Sequence, residues 1–411
     1  MNPLKRISVS ELRIGMYFCG FDGPWIDTPF WRNKFLLKRA TEVIEAQAAG
    51  VEFCWIDPAL GQDVGTTPAA SEPDGQDPAP AAATPEEQFE TELREAMRIF
   101  AEAKSATLVM FKHARLGRAL DIDRCQHLVE EITASLARDS NAFLGVVRLK
   151  RADEYTYLHS IAVCTMMVAL GRTLGMDDVA CKEAGLAGYL HDVGKAFIPL
   201  DILNKPDKLT DQEYRIIQRH PSLGYEYLRS SSSVPDYAAD VCLHHHEKVD
   251  GTGYPNKQRG AQISVYSRMA AICDVYDAVT SERPYKAGWD PAESVAKMAT
   301  WSGHFDRSIY LAFVKTLGIY PIGSIVKLHS GRTALVIRQN QQNLTKPVVK
   351  AFTTTQSMDV AESEIIDLSD GSQPDFIVER SGQDWLKPQG LIEEHLSGLD
   401  GSADGVPKAQ A

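Results

Sequence analysis

The sequence predicts a mainly α-helical protein, preceded by a small α/β unit and followed by a short β-rich extension. Three observations carry this. Between residues 86 and 317 apolar residues recur at helical spacing, and Pro and Gly cluster only at breaks, at 194–199, Pro206 and 251–255. After Tyr320-Pro321 the pattern turns to alternation, and the runs 324–328, 334–338 and 347–352 read as strands separated by turns. Residues 1–57 mix β-like runs (7–9, 16–18, 51–56) with one helical stretch near 37–49.

Composition sets the boundaries. From Asp57 to Pro85 there are six prolines, much Ala, Gly and Asp, and no Lys or Arg, so 58–88 reads as a flexible acidic linker. Residues 89–124 follow as a connecting helical segment and 125–320 as the main helical domain. Residues 321–396 form the β-rich extension. A Gly, Ser and Asp-rich tail, 397–411, is expected to be disordered.

The 411 residues suggest two or three domains, and a hydrophobic fraction of 44% suffices for globular cores. No apolar run approaches the ~20 residues of a membrane helix, and MNPLKRISVSEL lacks a signal-peptide core. The expectation is a soluble, cytoplasmic protein with no membrane contact. Seven scattered cysteines without a CxxC pair argue for reduced thiols rather than a disulfide frame or a Cys-zinc site. A net charge of −12 disfavours a nucleic-acid polymer as partner, because polymer binding needs a basic surface. A small anionic substrate remains compatible, since local cations can reverse the field inside one cleft.

Six of the eleven histidines fall between 159 and 246. His159 lies on a predicted helix over 153–174, on one face with Val163, Met166 and Leu170. Alone it would be a hydrogen-bonded core histidine. A second helix, AGLAGYLHDVGK (184–195), carries His191-Asp192, with Gly194 as its expected C-terminal stop. His220 follows a polar helix over 211–219. The run His244-His245-His246-Glu247 follows an apolar stretch, and three buried unpaired histidines would be costly. Asp274 sits among Met269, Ala270, Ile272 and Val275 on a helix over 265–280, and a buried carboxylate needs a partner. Imidazoles plus carboxylates are a ligand set for Fe, Mn, Ni or Zn. Five His and two Asp are too many for one tetrahedral site and suggest two metals sharing a carboxylate, an arrangement suited to in-line attack on phosphorus.

The order His159, His191-Asp192, His220, His245-His246, Asp274, with Gly253-Tyr254-Pro255, resembles the HD-GYP subgroup of the HD phosphohydrolases. Local matches are LHDVGKAFIP (190–199), ILNKPDKLT (202–210), HPSLGYEYL (220–228), HHEKVDGTGYP (245–255) and DVYDAVTSERPYK (274–286). They cover nearly half the chain. The resemblance implies a helical HD-type phosphohydrolase domain, a bacterial source, and hydrolysis of the second messenger cyclic di-GMP. It implies two divalent transition-metal ions (Fe, Mn or Ni). His159, His191, Asp192 and Asp274 would hold one, and His220, His245 and His246 the other, with Asp192 bridging. Lys195 would lean on the scissile phosphate. Asp277, Arg283 and Lys286 would line the substrate cleft. Gly253, Tyr254 and Pro255 would form a lip that also contacts GGDEF-type diguanylate cyclases. His244 is expected behind the ligands or facing solvent, and Glu247 is expected to orient a ligand histidine.

Some members of this subgroup carry a Glu one turn before the first histidine and bind a third metal. Here that position is Tyr155, which implies a two-metal site and slow or partial hydrolysis to linear pGpG, with further cleavage to GMP left open. Residues 7–30 and the strand near 50–56 resemble the uncharacterised domain often fused ahead of HD-GYP domains, with a regulatory or docking role as the expectation. Other compatible functions are a receptor or adaptor that binds the ligand or a cyclase without turnover, and an HD enzyme acting on another nucleotide. A homo-oligomer is also compatible with the sequence.

Overall fold

The computed structural model describes residues 4–21, 35–37, 43, 53–62, 85–148, 155–281, 288–340, 342–354, 360–371 and 375–380. Most of the expected N-terminal helix, most of the 58–88 linker, Arg283, Lys286, the side chain of Tyr155 and the 397–411 tail lie outside the described residues. The chain divides into two compact units, 1–81 and 82–411.

The first unit is a four-stranded antiparallel sheet of β1 (Lys5–Ser8), β2 (Tyr17–Phe21), β3 (Phe35–Leu36) and β4 (Phe53–Ile56), in the order β1-β4-β2-β3. Ile7 pairs with Cys54, and alternate residues Ile7, Phe18, Cys54 and Ile56 point into a small core with Val9, Leu12, Met16 and Leu37. Ser8 starts a short 3-10 turn, its side chain and that of Glu11 capping each other's backbone.

The second unit is helical: α1 (Pro85–Arg115), α2 (Ile122–Arg138), α3 (Ser140–Val147), α4 (Tyr155–Thr173), α5 (Asp178–Leu190), α6 (Leu200–Leu203), α7 (Asp211–Ile217), α8 (His220–Arg229), α9 (Asp236–His244), α10 (Val265–Thr280), α11 (Pro291–Met298) and α12 (Arg307–Leu317). Helix α1 buries Phe89, Leu93, Ala96, Ile99 and Ala103, spaced three or four apart along one stripe. Helix α4 and the second half of α5, from Ala184 to Leu190, are buried almost all round and form the centre of the core. They approach closely because α5 carries Gly185 and Gly188 at the contact. A methyl there would meet Val168 Cγ2 at 2.7 Å and Met167 Sδ at 2.7 Å. This brings the end of α5, where His191 sits, against His159 of α4.

The helix expected over 184–195 starts earlier, at Asp178, and stops sooner. It ends at Leu190, and Val193–Phe197 forms a 3-10 turn. Gly194 is therefore not a helix stop. It lets the 3-10 turn lie against α8, where an added Cβ would be 1.9 Å from the His220 carbonyl oxygen and 2.6 Å from Gly224 N. The two glycines set His220 beside Asp192.

The C-terminal strands β5 (Ile325–Leu328), β6 (Thr333–Arg338), β7 (Val348–Thr354), β8 (Val360–Asp367) and β9 (Ile377–Arg380) form one antiparallel sheet in the order β8-β7-β6-β5-β9. Three of these match the alternating runs. β8 and β9 were not legible there, because their pairing is fixed by β7 and β5 rather than by local pattern. The sheet has its own core of Val326, Leu328, Val336, Val349 and Ile366.

Candidate metal centre

Seven side chains from five helices and the turns at their ends converge. His159 comes from the second turn of α4, His191 and Asp192 from the end of α5, and His220 from the first turn of α8. His245 and His246 come from the turn after α9, and Asp274 from the middle of α10. His159, His191, Asp192, His220 and His245 are each at most 1% exposed, while His246 keeps 24% of its side chain open.

Two tight groups stand out: His159, His191 and Asp192, and His220, His245 and His246. Asp192 lies between them. Its Oδ2 is 3.4 Å from His159 Nε2 and 3.3 Å from His191 Nε2, and it accepts from Lys195 Nζ. Its Oδ1 faces the other group, 3.2 Å from His220 Nε2 and 3.8 Å from His245 Nε2, yet accepts no well-formed hydrogen bond. Asp274 also spans both, with Oδ1 at 3.0 Å from His159 Nε2 and Oδ2 at 3.6 Å from His246 Nδ1.

The outer ring nitrogens fix the tautomers. His191 Nδ1 is 2.7 Å from Gly188 O, His220 Nδ1 is 2.7 Å from Ile217 O, and His245 Nδ1 is 3.0 Å from Cys242 O. A carbonyl only accepts, so each Nδ1 carries the proton and each Nε2 presents a lone pair. The Nε2 atoms crowd together: the lone pairs of His220 and His245 Nε2 face each other 3.2 Å apart, and His191 Nε2 lies 3.3 Å from His159 Nε2. Facing lone pairs and an orphaned buried carboxylate oxygen call for a cation, and the donor set suits a transition metal. The residues therefore fit the implied metals.

Electrostatics point the same way. Burial pushes the Asp192 carboxyl up, but Lys195, His191 and His220 overcome it and hold it well below the usual range. Burial likewise opposes ionisation of Asp274, and His159 and His246 reverse it. Burial and the neighbouring histidines hold His245 well below its usual value, and His246 at about 3, so both imidazoles are neutral. His159 is the exception: burial lowers it, but hydrogen bonds to Asp274 and Asp277 raise it more.

Several expected roles change. Asp277 does not line an open cleft. It is 4% exposed, and its Oδ2 accepts from His159 Nδ1 at 2.6 Å, one helical turn after Asp274. A carboxylate in this place orients a ligand imidazole and raises its basicity. Glu247 orients no ligand histidine. Its carboxylate is buried and accepts from the backbone N–H of Asn256 at 2.6 Å and of Gln258 at 3.1 Å. His244 is buried rather than solvent-facing, held by Asp240 Oδ1 at 2.8 Å and by the amides of Asn256 and Gln258. Together these residues clamp the loop after Pro255, a task the run of histidines conceals in the sequence. The loop is more than a surface lip: the Tyr254 ring stacks on His246, centroids 4.8 Å apart and 29° between planes. Gly253 is required there, because a Cβ would lie 2.4 Å from Lys248 N.

A helical fold with a buried double cluster of His and Asp defines a metal-dependent phosphohydrolase of the HD class. Residues 131–309 match the HD domain family, and residues 4–125 match a domain of unknown function, DUF3391. The chain is 46% identical over 384 residues to Cyclic di-GMP phosphodiesterase PA4108 of Pseudomonas aeruginosa, covering 91% of each. It is 37% identical over 163 residues to the cyclic di-GMP phosphodiesterase response regulator RpfG of Xanthomonas campestris, 38% of this chain and 43% of that protein. It is 43% identical over 156 residues to 3'3'-cGAMP-specific phosphodiesterase 2 of Vibrio cholerae, 38% of this chain and 30% of that protein. The chain belongs to the HD-GYP family of HD-domain phosphodiesterases.

Proposed function

We infer that the chain is a cyclic di-GMP phosphodiesterase that opens the cyclic dinucleotide at one phosphodiester bond. The similarity to a cyclic di-GMP phosphodiesterase over nearly the full length supports this substrate. The observation that carries the chemistry is Asp192, which turns one oxygen toward each of two histidine groups. His159, His191, Asp192 and Asp274 would hold one divalent ion and His220, His245 and His246 a second, with Asp192 shared. Fe, Mn and Ni all suit these donors. When bound, such a pair supplies Lewis-acid polarisation of the phosphoryl oxygens and an activated water.

The chain's own groups do the rest. Asp277 accepts from His159 Nδ1 and leaves its Nε2 turned inward, and the carbonyls of Gly188, Ile217 and Cys242 keep Nδ1 of His191, His220 and His245 protonated, so that the Nε2 of these three points inward unprotonated. Lys195, 19% exposed and bonded to Asp192, brings an ammonium to the mouth, where it would stabilise charge growing on the scissile phosphate. Arg283 and Lys286 would add phosphate contacts from the segment after α10, Arg through a bidentate pair. With Tyr155 at the position of a third-metal Glu, the expected product is linear pGpG. Docking of a GGDEF-type diguanylate cyclase near the Tyr254 loop, self-association and a cytoplasmic site of action belong to the same reading. Among the described residues no helix is long and apolar enough to cross a membrane.

The test is elemental analysis of the purified protein, with chromatography of products after incubation with cyclic di-GMP and 3'3'-cGAMP under reducing conditions. The reading expects about two transition-metal ions per chain and pGpG from cyclic di-GMP. Metal-replete protein that leaves cyclic di-GMP intact would overturn it.

A further inference from the structure

Asp277 holds His159 with one oxygen, Oδ2, and it also lines a small internal cavity of about 30 Å³. The cavity lies among α3, α4, α10 and the chain that leads into the C-terminal sheet, and Met166, Tyr276 and Ile322 belong to its apolar and aromatic walls. Two more polar side chains line it. Arg148 directly follows α3, and Gln339 directly follows β6.

Each of these two carries a buried atom without a hydrogen-bond partner: Arg148 Nε, a donor, and Gln339 Oε1, an acceptor. The rest of each side chain is fixed. Arg148 Nη1 donates to Thr280 Oγ1 at 3.1 Å, three residues beyond Asp277 on α10. Gln339 Nε2 donates to the Tyr320 carbonyl, and its backbone N–H donates to Asn141 Oδ1 on α3 at 3.0 Å. Asp290, which the Arg148 charge also favours in its ionised form, turns its Oδ1 to the Glu293 N–H at the start of α11. A buried donor and a buried acceptor left unpaired are costly. Cavities that stay dry are apolar, whereas one lined by such groups takes up water. A water needs roughly 10–15 Å³ and two to four polar partners, so about two fit here.

We propose that Arg148 is a positioning residue for Asp277, acting through an ordered water in this cavity. The water accepts from Arg148 Nε and donates to Gln339 Oε1 and to the Asp277 carboxylate. Arg148 thereby fixes the acid that decides which His159 nitrogen faces the metal site. Gln339 ties the C-terminal sheet to the same point. The proposal rests on the two-ion reading above.

The test is Mn²⁺ and Ni²⁺ binding to the chelator-stripped full chain, read by competition against a fluorescent chelator. Wild type, Arg148→Met, Arg148→Lys and Thr280→Val are compared, each with Asp277 intact and with Asp277→Ala. Arg148→Met should weaken the site at His159 by about 10-fold, the low end for a partner behind a ligand. Arg148→Lys keeps the charge but not the donor at Nε, and should fall between. With Asp277→Ala neither should weaken the site further, because their effect passes through Asp277. Thr280→Val removes the hydroxyl that Arg148 Nη1 meets; it should lower Tm and leave metal affinity at the wild-type level. Wild-type affinity in Arg148→Met overturns the proposal, as does a loss that persists undiminished with Asp277→Ala or an equal loss in Thr280→Val. If Arg148→Met does not fold, the Arg148→Lys pair decides on the same terms. A wild-type chain that binds neither ion sinks the two-ion reading and this proposal with it, whereas wild-type binding with unaltered variants sinks the proposal alone.

Discussion

Asp277 holds His159 from behind: its Oδ2 lies 2.6 Å from His159 Nδ1, and both side chains are buried. The contact decides which nitrogen of His159 faces Asp192 and Asp274. Removing such a carboxylate typically costs 10- to 100-fold in metal affinity or activity. Asp277→Ala should therefore weaken one metal site by about that factor, and Asp277→Asn, which can still accept from Nδ1, by less. Competitive metal titration against a chromophoric chelator reads both. Equal affinities in wild type and Asp277→Ala would remove Asp277 from this role.

Asp192 contributes to both histidine groups, whereas Asp274 makes its shortest contact, 3.0 Å, with His159. Asp192→Ala and His191→Ala should abolish hydrolysis. Asp192→Ala should also lower metal content at both positions, and Asp274→Ala chiefly at one. Elemental analysis of folded, purified variants checks this. Wild-type cleavage by Asp192→Ala would show that the centre lies elsewhere.

Most of this cluster was readable because its histidines and carboxylates lie at or near a helix end or on an apolar helix face. Asp277 left a signal too, since it lies one turn beyond Asp274 on the same helix and so on the same face. Gly194 and Glu247 left none. Their roles depend on backbone from other parts of the fold, His220 O for the one and the N–H groups of Asn256 and Gln258 for the other. The α-helical class followed from local periodicity. β8 and β9 depend on pairing with strands elsewhere in the chain, which local pattern does not encode.

Gly194→Ala would place a methyl 1.9 Å from the His220 carbonyl, and that oxygen belongs to backbone that cannot swing aside. Overpacking of this kind costs roughly 1–3 kcal/mol. The relief must come from moving α8, which carries His220. Tm and metal content should therefore fall together. A Gly194→Ala protein with both at wild-type values would show that the 3-10 turn has room to spare.

The metal-free protein should be most stable near the ordinary histidine pKa of about 6.5. His245 and His246 are lowered in the folded state, the latter to about 3. Below pH ~6.5 the unfolded chain binds protons that these two folded side chains refuse, so stability falls with pH. His159 is raised in the folded state, so its contribution is fully present below pH ~6.5 and is lost as pH climbs through its folded value. Asp192 and Asp274, both lowered, add their losses only in more acid solution, below the ordinary Asp pKa of ~3.9. Melting curves of chelator-treated protein between pH 4.5 and 8 should be dome-shaped, and a Tm that rises steadily toward acid pH would contradict the assignment.

Glu247 gives the sharpest separation between loop and ligands. Its carboxylate accepts from two backbone N–H groups directly after the Tyr254 loop and, among the described residues, makes no hydrogen bond to a cluster histidine. Glu247→Ala leaves both donors without their partner, at roughly 1–3 kcal/mol for each that stays buried. Tyr254 would then lose its fixed seat over His246, while the histidines keep their own carbonyl and carboxylate partners. Metal content should stay near wild type while kcat/KM for cyclic di-GMP falls, and Glu247→Gln, which keeps one acceptor oxygen, should lie between. Were metal loss to match the activity loss, Glu247 would have to act on the ligands after all, and the loop clamp would be the wrong account.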